Sequence, residues 1–263
     1  MARKIVVTSG KGGVGKTTIC ANIGVKLASL GFRVALFDAD IGLNNLDVVM
    51  GVENKVCFDL ADVANGRCRI KQALIQDERF PTLYVMPSAK LEGNNQLTSE
   101  QMKIVVDTIS PNFDYILIDC PAGVENGFRR AVFAANEALI VVTPHISSIR
   151  DADKVLSIIA DYNLYSKSLV INRVRGDMLL SGESISVEEI IRLLNIQILG
   201  VVPDDDSISA LSSLGEFGSN TTSSRAFSLL AENLHNGSKK IYDCTYKYKG
   251  VLGVIRRNLK RKI

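Results

Sequence analysis

Long hydrophobic runs are missing from this chain of 263 residues. Although 46% of it is apolar, no stretch approaches the about 18 consecutive apolar residues that cross a bilayer. The opening Met1-Ala2-Arg3-Lys4 runs straight into strand-like residues without the apolar, cleavable segment of a secretory leader, so a cytoplasmic or equivalent reducing location is expected. Cysteine pairing is also absent. The five cysteines (Cys20, Cys57, Cys68, Cys120, Cys244) are odd in number and form no C-x-x-C pair, and only two histidines are present. That argues against a disulfide framework or a zinc site and for reduced structural thiols. Internal repeats and low-complexity linkers are lacking too. Acid is scarce in one place: between Ser238 and Ile263 nine basic residues face Asp243 alone, a net of +8. Taken from the overall +3, this leaves residues 1 to 238 at −5. A mildly acidic body with a basic tail is not the charge layout of a general nucleic-acid binder. The expected organisation is one domain over residues 1–238 and a tail over 239–263.

What is present is an alternation. Short apolar runs recur at Ile5-Val6-Val7, Val34 to Phe37, Leu83 to Met86, Tyr115 to Ile118, Ala138 to Val142, Leu169-Val170-Ile171 and Ile198 to Val202. Helical patterns lie between them, over Thr17 to Leu30 with Gly31 after it, Ser99 to Ile109, Ser147 to Tyr162 and Ser186 to Leu194. Near-continuous apolar strands are buried on both faces. The expected fold is therefore α/β, a single domain with a mostly parallel, twisted sheet flanked by helices on both faces. The polar stretch Asn220 to Ser224 reads as a loop and helix cap rather than a boundary.

The first strand leads into Gly10-Lys11-Gly12-Gly13-Val14-Gly15-Lys16-Thr17-Thr18, which satisfies G-x-x-x-x-G-K-[ST] between a strand and a helix. Such a P-loop turns backbone N–H groups toward phosphate oxygens, Lys16 reaches the β and γ phosphates, and Thr17 offers its hydroxyl to Mg²⁺. A second acidic element is expected at the end of another strand, and Tyr115 to Ile118 ends in Asp119, a candidate for the Mg²⁺ shell. Asp38-Ala39-Asp40 follows the second strand. Asp40 is assigned to orienting or deprotonating the attacking water and Asp38 to the Mg²⁺ environment, although the spacing also suits a plain turn. The Asn/Thr-Lys-x-Asp element of guanine-specific folds is missing, since Asn54-Lys55-Val56-Cys57 lacks the aspartate and precedes Asp119. Adenine is favoured, so ATP with Mg²⁺ is the expected nucleotide.

Lys11, five residues before Lys16, is too close to the start of the loop to repeat the role of Lys16 within one subunit. Together with Asp38-Ala39-Asp40 and Asp119-Cys120-Pro121-Ala122-Gly123, the segment Lys11 to Thr18 resembles the deviant Walker A ATPases of the MinD/ParA family. The resemblance spans essentially the whole chain. It is greatest to the division-site branch, through Asp40 to Asp47, Ser147-Ser148-Ile149-Arg150-Asp151-Ala152-Asp153 and the basic tail. It implies slow, partner-stimulated hydrolysis and an ATP-dependent homodimer in which Lys11 reaches the partner's phosphates. It also implies adenine contacts at Asn172, Pro203 and Asp204, which end two strands, and regulators of the MinC (inhibitor) and MinE (activator) type. The helix from Ser147 is where such partners would be sought.

In the tail, Tyr248, Val251, Leu252, Ile255, Leu259 and Ile263 fall on one stripe of a 3.6-residue period. Lys249, Arg256, Arg257, Lys260, Arg261 and Lys262 fill much of the remaining face. A helix docked on its own core explains the stripe and not the charge, whereas a nucleic-acid tail explains the charge and not the stripe. An interfacial helix on an anionic membrane explains both, and the resemblance implies the same on the inner face of the cell membrane or its plastid equivalent. Gly250 and Gly253 each cost about 1 kcal/mol in a helix, so folding on lipid is expected. The alternative functions are a DNA-segregation ATPase of the ParA type, which needs basic patches on the acidic body, and an iron protein with Cys120 as a cluster ligand.

Overall fold

The computed structural model describes residues 1–42, 45–89, 97–208, 217, 221–250 and 253. The tail positions Val251, Leu252, Ile255, Arg256, Arg257, Leu259 and Lys260 lie outside them. Among the described residues eight strands form one sheet: β1 (Arg3–Thr8), β2 (Val34–Asp38), β3 (Ile75–Gln76), β4 (Leu83–Met86), β5 (Tyr115–Asp119), β6 (Glu137–Val142), β7 (Ser166–Val174) and β8 (Gln197–Pro203). Their order is β3-β4-β2-β5-β1-β6-β7-β8, and every pairing is parallel except β3 with β4. Each expected strand is present. The unexpected β3 has two residues, too few for any alternation to be read.

The helices are α1 (Lys16–Ser29), α2 (Leu46–Met50), α3 (Leu60–Ala64), α4 (Ile70–Ala73), α5 (Ser99–Ile109), α6 (Asn126–Phe133), α7 (Ile146–Ile159), α8 (Gly176–Ser181), α9 (Val187–Leu194) and α10 (Thr222–Asn236). The expected helix to Tyr162 ends at Ile159, because Asp161 and Tyr162 donate to carbonyls three residues back, at Ile158 and Ile159, and the last turn tightens. Thr221 does cap α10, its hydroxyl accepting from the Ser224 N–H at 3.0 Å.

Alternate residues of the central strands feed two cores. Val6, Phe37, Ile116, Ile118 and Ile140 pack with residues of α5, α6, α7 and α9, while Ile5, Val7, Leu36, Leu117 and Val141 pack with α1 and α10. This is why the strand sequences carry no polar alternation. Gly24 of α1 leaves room for Leu36, whose Cδ2 would lie 2.6 Å from a Cβ there.

The chain after α10 returns to the body. Asn233 Nδ2 donates to the carbonyls of Leu199 (2.7 Å) and Lys240 (2.8 Å), and Cys244 is buried within the first core. Tyr246–Tyr248 forms a 3₁₀ turn, and Tyr248, the first residue of the expected membrane stripe, is half-buried against the body.

Candidate functional site

The parallel register places the acidic residues. Pairing of β2 with β5 sets Asp38 beside Asp119, and pairing of β1 with β5 sets Val7 beside Asp119. Two aspartates thus sit side by side on strands about 4.8 Å apart, at the carboxyl edge where β1 opens into the loop. Ligands of open parallel sheets bind at this edge.

The loop needs its glycines for stated reasons. Gly13 and Gly15 have φ of +74° and +93°, in the left-handed region that side chains disfavour. A Cβ on Gly15 would also lie 2.5 Å from Asn172 Nδ2, and one on Gly10 would lie 2.1 Å from the Asp151 carbonyl oxygen of α7. Gly15 precedes α1, so the N–H groups of Lys16, Thr17 and Thr18 open the helix toward an anion. Lys16 is buried at the start of that helix.

Asp119 is fully buried, and its pKa is pushed up to about 8, first by burial and then by Asp38, with Thr17 and Lys16 opposing. Its Oδ1 has no hydrogen-bond partner among the described residues. An orphaned carboxylate oxygen beside a threonine hydroxyl is a set of hard oxygen donors, and it fits Mg²⁺ held partly by phosphate oxygens and water. Asp38 is also pushed up, to about 6, by burial. Both its oxygens accept backbone N–H groups, Oδ1 from Asp40 at 2.9 Å and Oδ2 from Leu46 at 3.1 Å. The aspartate expected only as part of the metal environment therefore braces the turn that carries Asp40. Asp40 is half-exposed, with its pKa raised by burial and lowered by Lys16. Cys120 lies buried below, its thiol raised to about 12 chiefly by burial.

Lys11 is exposed, and its Nζ donates to Ser147 Oγ, at the first turn of α7, at 3.0 Å.

Beyond the phosphate loop lies a cavity of about 470 Å³ lined by Gly15, Thr18, Asn172, Pro203 and Asp204 among others. It brings together the three residues expected at the adenine. Asn172 Nδ2 donates to the Val14 carbonyl at 2.8 Å, which leaves Oδ1, an acceptor, for a ligand. An acceptor matches the adenine amino group and mismatches the guanine carbonyl.

Pro144, His145, Arg173, Arg175, Met178 and Glu183 also line this cavity, and none was singled out from the sequence. Arg173 sits at φ +57° where the register of β7 on β8 slips between Ile171 and Val174. No sequence signal marks a bulge of this kind, although the positions just after β6 and β7 are where a search of strand ends would have looked.

Comparison with known proteins agrees with this geometry. The model of the CobQ/CobB/MinD/ParA nucleotide binding domain matches residues 5–216. The septum site-determining protein MinD of Bacillus subtilis is 48% identical over 218 residues, 82% of this chain and 81% of that protein. In the MinC:MinD cell division complex of Aquifex aeolicus, the matching chain superposes with a TM-score of 0.84 at 40% identity, over 91% of this chain and 98% of that one. MinD of Pyrococcus horikoshii, solved with Mg-ADP, gives 0.81 at 30% identity, over 89% and 96%. On these matches, which span most of its length, the chain belongs to the MinD/ParA family of P-loop ATPases.

Proposed function

We propose that this protein is a division-site positioning ATPase that works as a membrane switch. It dimerises with ATP, holds an anionic membrane through paired basic tails, recruits an inhibitor of the MinC type, and is released when an activator of the MinE type stimulates hydrolysis. The observation that carries the reading is the convergence of Lys16, Thr17, Asp40 and Asp119 at one sheet edge, in a chain so similar to septum site-determining proteins.

Each residue has a distinct task. The backbone of Gly10 to Thr18 cradles the phosphates, and Lys16 neutralises their charge. Asp40, held by Asp38, orients water toward the γ phosphate. Mg²⁺, when bound at Thr17 and Asp119, supplies charge neutralisation for the triphosphate. Asn172 presents its acceptor to the base, with Pro203 and Asp204 forming the opposite wall. Lys11 leaves Ser147 and reaches the partner subunit's phosphates. That transfer makes the triphosphate part of the dimer interface, because loss of the γ phosphate leaves a buried cation with less to bind.

Membrane residence then follows from valence. One basic tail adds about 1 kcal/mol per cation at an anionic surface, less when screened, and binds weakly, whereas two tails in a dimer gain from effective concentration. No helix among the described residues is long and apolar enough to cross a membrane. Sedimentation with anionic vesicles, in ATP and in ADP, tests the reading with the Lys11→Ala variant beside the natural protein. ATP-dependent sedimentation that the variant loses while still binding nucleotide is expected. Equal sedimentation in both nucleotides, or ATP-dependent pelleting with duplex DNA instead, overturns it.

A further inference from the structure

We infer that the wall of the nucleotide cavity and the seat of the tail's root are one mechanical unit, so that nucleotide binding fixes the root of the tail within a single subunit, before any dimer forms. The inference rests on reading that cavity as the base end of the nucleotide site.

A second, small cavity lies behind the first, and Arg175, Pro203 and Asp204 line both. Its remaining wall includes Cys244, Lys247 and Tyr248, from the start of the tail. The two spaces thus have part of their wall in common. This shared wall is braced at the end of β7 and by α8: the Asp204 N–H donates to the Val174 carbonyl at 3.0 Å, and Arg175 Nη2 lies 2.6 Å from Asp177 Oδ2 in α8. Arg175 is also stabilised by the negative charge of Asp204, after that of Asp177.

Contact with the tail root is backbone on backbone. A Cβ on Gly176 would lie 1.9 Å from the Cys244 carbonyl oxygen and 3.1 Å from Thr245 Cα, so only glycine permits the root to seat here. The root is itself a built turn, in which Asp243 accepts from the Thr245 N–H at 2.8 Å and from Lys249 Nζ at 2.7 Å. Cys244 is 7% exposed.

Nothing can order Arg175, Pro203 and Asp204 from the cavity side without ordering the surface on which residues 244 to 248 rest. By linkage the effect is mutual: if nucleotide tightens the docked root by some factor, loosening the root weakens nucleotide by the same factor. A fixed root sets where each tail leaves the body, which raises the effective concentration of two tails once a dimer forms.

Cys244 reports on this directly, because its thiol reacts only when the root opens. The experiment follows alkylation by iodoacetamide in the full chain without lipid, with and without saturating Mg-ADP, resolving each cysteine by peptide mass spectrometry. The exposed Cys57 serves as the internal standard. ADP is expected to slow labelling of Cys244 by at least about fivefold and leave Cys57 unchanged. Gly176→Ala, and Tyr248→Ala in case the former does not fold, should speed labelling and weaken ADP binding by matching factors. Unchanged Cys244 labelling at measured ADP saturation overturns the inference. So does protection that appears only with a non-cleavable ATP analogue and vanishes in Lys11→Ala, since that is dimer burial. Absence of ADP binding removes the cavity reading itself, whereas failure of vesicle binding leaves this result standing.

Discussion

The phosphate loop and the cavity proposed for the base are built in opposite ways. The phosphate end is nine consecutive residues, Gly10 to Thr18, whose conformation is set by their own glycines, with φ of +74° and +93° at Gly13 and Gly15. The base end gathers single residues from the ends of β6, β7 and β8: Pro144, Asn172, Arg175, Pro203 and Asp204. A local element keeps its shape when distant packing changes, whereas an assembled one inherits every displacement of the strands that supply it. Damage to the phosphate end should therefore appear in chemistry, and damage to the base end in affinity and in the choice of base.

The largest expected effect is at Lys16. It is the buried cation of the loop, and Lys16→Ala removes charge from the site where the transferred phosphoryl develops it. Phosphate release should fall by at least about 10²- to 10³-fold, while thermal stability measured without nucleotide falls little. A variant that keeps its turnover would end the assignment of the loop as the catalytic half.

Asn172→Ala is expected to act more moderately and on a different quantity. Its side chain bridges the two ends, donating to the Val14 carbonyl from β7, and the residue lines the cavity. Loss of its acceptor should reduce the preference for the adenine over the guanine nucleotide by about 5- to 150-fold, the cost of about 1–3 kcal/mol for leaving one buried polar group unsatisfied. Competition titrations with the two diphosphates read this ratio. An unchanged ratio would move base selection to another residue of the cavity wall.

The same contrast governs what the sequence discloses. The loop, Asp38, Asp40 and Asp119 are legible because each is fixed by a neighbour in sequence, a strand end or a glycine. Asn172, Pro203 and Asp204 were reached through family resemblance and strand-end position, and the cavity does contain them. Arg173 and Arg175 were not reached, because the slip of β7 on β8 beside them is a property of two strands together. The brace role of Asp38 was equally hidden, since it depends on which N–H groups its oxygens meet. Among fold elements, α1 to Gly31, α5 and the cap of α10 were read from capping and periodicity. The two-residue β3 and the docking of residues 240 to 248 are tertiary, set by pairing with Tyr84 and Val85 of β4 in one case and by Gly176 in the other.

The smallest expected effect tests how far the assembled end reaches. Asp205 lines the cavity, and its carboxylate is held by Ser207 Oγ at 2.6 Å and by Ser223 Oγ, from the first turn of α10, at 2.7 Å. Burial raises its pKa, but these hydrogen bonds outweigh burial and leave it below the usual carboxylate range. Ser223→Ala removes one of the two hydroxyls and frees Asp205 to shift, though residue 223 itself does not line the cavity. If the base end is assembled, the variant should bind ADP about two- to fivefold more weakly, because one charge-assisted hydrogen bond of about 1.5–3 kcal/mol is only partly transmitted to the cavity. Its rate of phosphate release at saturating ATP should be unchanged, because the hydroxyl removed bonds to Asp205 and not to the loop. A reversed pattern, slowed release with intact affinity, would mean that α10 acts through α1, against which it packs in the second core, and that the phosphate end is less self-contained than its glycines suggest.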